Sequence, residues 1–277
     1  MANIKAAEVN KLRQQTGAGM MDCKKALVEA EGDFEKAIDI LRKKGQKLAS
    51  NRADRDTKEG VVLAKTNADA TLAATIMFNC ETDFVAKNQE VIDFAAKLLD
   101  LGMEKACKNQ DELKAAELDG RTVEENITDM IGKTGEKLQL THFATVSGDK
   151  VFGYTHPGNR VASIAALNKK DVADIESIGK DVVMQIAAMA PVSLDQHSVP
   201  KEVIEKEIEI GKDQARQEGK PEEMLEKIAM GKLNKFYKES TLLNQAFIKD
   251  NKQTVSQMLK AADKDLTVTD FKRLALA

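Results

Sequence analysis

The sequence predicts an α+β protein on three observations. The first forty-five residues show helical periodicity only. Two later stretches repeat the order strand, turn, strand, helix, and a densely charged segment after residue 198 reads as two helices joined by a tight turn. Hydrophobic residues make up 42% and charged residues 31% of the 277, with 16 Gly and 4 Pro, so a packed core is expected and disorder is not. Lys and Arg total 42 against 45 Asp and Glu, a net charge of −3, so no whole-molecule positive field draws nucleic acid.

Three short helices are predicted from Lys5 to Gly45. Val9, Leu12 and Thr16 share a face, Gly17-Ala18-Gly19 breaks the run, and Met20, Met21, Cys23, Ala26 and Leu27 open a second helix that stops near Gly32. Asp33 suits the N-cap of the third helix, where Phe34, Ala37, Ile38 and Leu41 recur at helical spacing. Gly45, after Lys43-Lys44, reads as its left-handed C′ residue. Gln46 to Lys58 carries Lys47, Arg52, Arg55 and Lys58 with almost no large apolar residue, and reads as a linker.

The period then changes. Val61 to Lys65, a turn at Asn67-Ala68-Asp69, and Thr71 to Phe78 read as a β-hairpin with one buried strand, followed by a long helix from about Thr82 to Glu104. Thr82 or Asp83 suits its cap, with Phe84, Val91, Ala95 and Leu98 as the buried face. The same order recurs at Val151 to Tyr154, the turn His156 to Asn159, Val161 to Leu167, and a helix bearing Val172, Ile175, Ile178, Val182, Ile186 and Met189. This is a degenerate internal repeat with a spacing of roughly ninety residues, judged by pattern, and it predicts two related subdomains.

Ile204, Ile208, Gly211 and Ala215 line one helical face. Gly219-Lys220-Pro221 turns the chain with Pro at N1, and Leu225, Ala229, Leu233 and Phe236 line the returning helix. So thin an apolar seam either projects as an arm or packs against another chain. Thr254 to Ala262 reads as a helix, and Val268 to Leu276 as a strand completing the second sheet. The division expected is an N-terminal domain at 1–54, a core N-subdomain at 55–140, the first part of a core C-subdomain at 141–197, the hairpin at 198–235, and completion of the C-subdomain at 236–277.

No catalytic constellation is present. Gly17-Ala18-Gly19 lacks the lysine and the preceding buried strand that phosphate cradling requires, and no nucleophile elbow or dinucleotide fingerprint occurs. Cys23, Cys80 and Cys107 form no CxxC, and His142, His156 and His197 lie far apart, so neither a disulfide framework nor a metal is expected, and no cofactor is called for. No apolar leader core follows Met1 and no run approaches the roughly 18 apolar residues of a membrane span, so a cytoplasmic protein without a membrane partner is expected.

Two stretches carry a resemblance. Lys11 to Leu27 reads KLRQQTGAGMMDCKKAL and Asn79 to Asn88 reads NCETDFVAKN; together they resemble the signatures of the bacterial translation elongation factor Ts family, and the match extends through Gly153-Tyr154-Thr155-His156 and the charged hairpin. The resemblance implies a guanine nucleotide exchange factor for elongation factor Tu, acting without covalent chemistry. It implies a UBA-like three-helix N-terminal module, a core of two related subdomains and a hairpin used for dimerisation. It implies that Thr82, Asp83, Phe84 and Val85 enter the GTPase domain and disturb its magnesium site, and that His156 contacts the GTPase near its phosphate loop. The N-terminal module, through Leu12, Arg13, Gly17, Gly19, Met20 and Met21, is implied to pack on the same domain. Thr134 stands where many members carry an isoleucine, so that contact is not carried over, and no C-terminal contact is expected beyond Ala277. A competing reading is an adaptor whose N-terminal module binds another partner alone; a third is an enzyme using His156 as a base.

Overall fold

The computed structural model describes residues 4–277; Met1, Ala2 and Asn3, the start of the expected N-terminal domain, lie outside the described residues. Two compact units are present. One runs to Leu63, takes in Ile76–Ala144 and closes with Ala275–Ala277; the other holds Ala64–Thr75 and Thr145–Leu274.

The first unit begins with α1 (Ala6–Thr16), α2 (Met20–Glu29) and α3 (Phe34–Asn51). Gly17 ends α1 at φ 67°, a left-handed conformation that costs glycine little, and its N–H donates to Arg13 O at 2.7 Å. The Asp33 carboxylate caps α3, accepting from the Lys36 N–H at 3.1 Å. Val9, Leu12, Cys23, Ala26, Leu27 and Ala37 form the core of the three helices.

The expectation for Gly45 is corrected. The helix does not stop there but continues to Asn51, and Gly45 is buried inside it. The glycine serves a close helix crossing rather than a turn: a Cβ on Gly45 would lie 3.2 Å from Thr128 O and 3.6 Å from the Gly132 Cα. The linker expected at 46–58 is corrected with it, since its first half is helix and Arg52 and Arg55 are ion-paired to Glu81 at 2.7 and 3.1 Å.

Next come β1 (Glu59–Thr66), β2 (Leu72–Cys80), α4 (Asp83–Ala86) and α5 (Gln89–Glu104). The single helix expected from Thr82 is two. Thr82 caps α4, and Asn88, whose side chain accepts from Glu90 N–H at 3.0 Å, restarts the chain as α5. That restart resets the helical phase. Val91, Ala95 and Leu98 are buried as expected, whereas Phe84 is 83% exposed.

Then follow α6 (Gln110–Ala115), β3 (Glu117–Leu118), β4 (Arg121–Thr122), α7 (Val123–Thr134) and β5 (Gln139–Ser147), of which sequence reading gave none. Thr122 and Glu125 form a reciprocal capping box that starts α7, with β3 and β4 a short antiparallel pair before it. β1, β2 and β5 make one three-stranded sheet with β2 in the middle.

The remaining elements are β6 (Lys150–Thr155), β7 (Val161–Leu167), α8 (Ile175–Met189), α9 (Lys201–Gln217), α10 (Glu222–Ser240), β8 (Ala246–Phe247), β9 (Asp250–Thr254), α11 (Val255–Ala262) and β10 (Val268–Ala275). β6 and β7 pair antiparallel from Lys150 with Leu167 to Thr155 with Ala162, and β10 takes the open edge of β7. In both sheets, therefore, the second strand of a hairpin is central and a later strand completes the sheet, β10 doing so in the second as expected. Val182, Val183 and Ile186 of α8 pack with Phe152, Leu259 and Leu266 in the core of this second unit.

α9 and α10 form the expected hairpin. A Cβ on Gly211 would fall 3.1 Å from the Ala229 Cα, so the helices meet closely at small residues. Pro221 is the N-cap of α10 rather than its first helical residue. The root is tied by Val192 N–H to Ser240 O at 2.8 Å and Leu242 N–H to Ser193 O at 2.9 Å. Among the described residues no helix is long and apolar enough to cross a membrane.

Candidate functional site

β2 delivers Cys80 to the interior and the chain leaves it through Glu81 and Thr82 into the single turn of α4. The Thr82 hydroxyl accepts from the Val85 N–H at 3.4 Å, making Thr82 rather than Asp83 the cap. Asp83 instead accepts from Lys87 Nζ at 2.6 Å, one turn along, and this bond holds its carboxyl below the usual aspartate range.

The segment 81–82 is bound reciprocally to 136–137. The Thr82 N–H donates to Glu136 Oε2 at 3.0 Å and its hydroxyl to Glu136 Oε1 at 2.6 Å; in return Lys137 N–H donates to Glu81 Oε1 at 2.7 Å. Arg52 and Arg55 close on the same Glu81 carboxylate, and Lys137 Nζ donates to Ala53 O at 2.6 Å and Arg55 O at 2.9 Å. Burial opposes the charge of Glu81, but the bonds from Lys137 N–H, Arg52 and Arg55 outweigh it and hold the carboxyl below its ordinary range. Burial, followed by the charge of Glu136, pushes the Cys80 thiol up to about 12. Its Sγ donates to Thr82 O at 3.1 Å, so Cys80 acts as a buried anchor.

No residue of α4 is buried. The turn holds Phe84 out on the surface between half-buried Asp83 and Val85, an exposed aromatic of the kind that marks an interaction surface. The sequence singles out Thr82, Asp83, Phe84 and Val85 but not Glu81, Arg52, Glu136 and Lys137, which bind the base of the turn. The 54-residue separation of Thr82 and Glu136 leaves no local spacing to read.

The N-terminal candidates divide by burial. Arg13, Gly17, Gly19, Met20 and Met21 are exposed, whereas Leu12 is 0% exposed. Leu12 is therefore corrected from a contact to a core residue that supports the surface from inside. Gly17 lies under the Lys133 side chain, whose Nζ donates to Glu90 at 2.9 Å. A cleft of about 910 Å³ in the first unit is lined by Thr16 and Gly19 from the three-helix module and by Phe94, Met130 and Gly135 from the elements after it.

His156 lies in the second unit. It stands exposed at the β6–β7 turn, with Asn159 at φ 56° and Gly158 at φ 91° reversing the chain, and the Tyr154 hydroxyl lies 2.8 Å from its Nδ1. The tyrosine orients the ring.

Residues 81–277 match the family model described as Elongation factor TS. A protein named Elongation factor Ts from Christiangramia forsetii is 51% identical over 276 residues, with 100% of both chains covered. The chain belongs to the elongation factor Ts family. Further relatives of that name come from Cytophaga hutchinsonii, 50% identical over 100% of both chains, and Chloroherpeton thalassium, 42% identical over 97% of this chain and 95% of its own. The family match opens at Glu81, so the clasped segment and exposed turn stand at the start of the matched region. As an elongation factor Ts homologue the chain is a translation elongation protein, and its mixed α+β architecture accords with that family.

Proposed function

We propose that this chain is a guanine nucleotide exchange factor, itself without enzymatic activity, that binds elongation factor Tu in its GDP form and promotes GDP release. The observation that carries the reading is Phe84, a large aromatic at 83% exposure on a turn held by side chains beneath it. In a GTPase the bound Mg²⁺ is among the largest local charges and helps hold the β-phosphate, so displacing its supporting residues removes several nucleotide contacts together. Phe84 acts as the wedge, with Thr82, Asp83 and Val85 shaping the element around it, and binding energy stabilises a nucleotide-poor state of the partner. Linkage makes the effect reciprocal: the factor by which this chain weakens GDP is the factor by which GDP weakens this chain, so incoming nucleotide expels it.

In the same reading the module at 1–54 is UBA-like and docks on the GTPase through Arg13, Gly17, Gly19, Met20 and Met21, and His156 reaches the phosphate-loop side. The core subdomains occupy 55–140, 141–197 and 236–277, and the hairpin at 198–235 serves self-association. Translation places the protein in the cytoplasm. Exposed Met20 and Met21 support the module's part, because unbranched thioether side chains adapt to a partner surface. The test is release of fluorescent GDP from elongation factor Tu, chased with excess unlabelled GDP. Substoichiometric chain accelerates release with turnover; no acceleration by folded chain with active GTPase contradicts the reading.

A further inference from the structure

The geometry points to Glu136 as a positioning residue of the exchange element, holding Thr82 by two hydrogen bonds so that α4 presents Phe84 outward. The inference rests on the exchange reading proposed above and deepens it.

A four-residue helix with no buried side chain has no means of fixing its own direction, since helix nucleation is unfavourable without packing or anchors. Its internal bonds, Ala86 N–H to Thr82 O at 3.2 Å and Lys87 N–H to Asp83 O at 3.0 Å, define the turn but not where it points. At its far end Asn88 N–H donates to Val85 O at 3.1 Å and joins the turn to α5; at its near end the hold is on Thr82. Thr82 is gripped through both backbone N–H and side-chain hydroxyl by one carboxylate, and two bonds to the same group fix orientation where one leaves a swivel. The hydroxyl donates to Glu136 while its lone pair receives the Val85 N–H, so the cap and the grip act through one oxygen.

The grip is itself anchored. Glu136 N–H donates to the Thr134 hydroxyl at 3.3 Å, and the next residue, Lys137, is bound by Glu81 and by the carbonyls of Ala53 and Arg55. The end of α3 is therefore tied through Glu81 and Lys137 to the base of the turn. Any partner that loads Phe84 pushes against Glu136 rather than against a free loop.

The experiment uses the full chain with Glu136→Ala, Glu136→Gln, Phe84→Ala and the double variant Glu136→Ala/Phe84→Ala. Two readouts are taken: the kcat against KM split for GDP release from elongation factor Tu, and amide hydrogen exchange across residues 82–88 of the free protein. Glu136→Ala is expected to slow release about tenfold, the scale of losing a hydrogen bond to a charged group, and to speed exchange of the 82–88 amides. Glu136→Gln, which keeps one acceptor oxygen, falls between. The double variant is no slower than Phe84→Ala alone, because a residue acting through Phe84 has nothing left to position. Multiplying single effects, or 82–88 amides unchanged in Glu136→Ala, overturns the inference. If the wild type itself accelerates nothing, the exchange reading fails separately, and the amide measurement still decides whether Glu136 holds the turn.

Discussion

Gly45 of α3 and Gly132 of α7 face one another where the two helices cross, so closely that a Cβ on Gly132 would lie 3.4 Å from the Gly45 Cα. Glycine here permits backbone approach rather than a left-handed turn. The crossing fixes the three-helix module to the elements that carry the clasp.

Gly45→Leu is accordingly expected to destabilise the protein by about 1–3 kcal/mol, the range for overpacking a tight contact. Alanine is a poorer test, because its gain in helix propensity of roughly 1 kcal/mol opposes the crowding. Urea unfolding measures the change; a midpoint equal to wild type would mean the helices do not meet at this residue.

Cys23, Cys80 and Cys107 are all buried free thiols, and Cys80 is pushed up to about 12. Reaction with a thiol reagent at neutral pH is expected to await unfolding, since the thiolate is the reactive form. Rapid labelling of Cys80 in the native protein would contradict its place beneath Thr82.

Glu81 gives the clasp a pH dependence. Its carboxyl is held below the ordinary value of 4.5 in the folded protein, so the unfolded chain binds the proton first as pH falls. The stabilisation is complete above 4.5 and disappears as pH drops through the lower folded value. Comparing wild type with Glu81→Gln by urea unfolding from neutral to acid pH should show the two curves converging in that window. A constant gap between them would assign the difference to something other than this charge.

The hairpin is held by a seam of small residues at Gly211 and Ala229. Gly211→Leu is expected to open it locally: proteolysis within 201–240 rises severalfold, roughly as a lost local opening energy of about 1 kcal/mol implies, while unfolding of the remainder is unmoved. For self-association, the chain with residues 198–235 replaced by a short loop should sediment as a monomer where the parent sediments as a dimer. The same number of chains per particle in both would sink the dimer role.

What the sequence made legible was whatever its local chemistry determines. Asp33 before an apolar-periodic run, and the paired hairpins around Asn67 and His156, carry their own turn and cap signals, and the structure follows them. Gly45 misled because a glycine needed for close approach and one needed for a positive φ look alike until the opposing helix is known. The helix from Thr82 looks continuous in the sequence because Lys87-Asn88 interrupts no apolar period, although Asn88 ahead of Gln89-Glu90 is itself a cap signal. The stretch 110–134 carries its signals only in its caps, Asn109 and Thr122, with acidic first turns after them. Glu136, by contrast, could not have been found: it meets Thr82 only through the tertiary fold.

The most direct test of the account is GDP release by Phe84→Ala. Because the ring is exposed, the variant should unfold within about 0.5 kcal/mol of wild type, the range for surface substitutions away from special features. As an interface hot spot its loss should slow exchange by roughly one to two orders of magnitude. A folded Phe84→Ala that exchanges GDP at the wild-type rate would contradict the claim that this residue is the wedge.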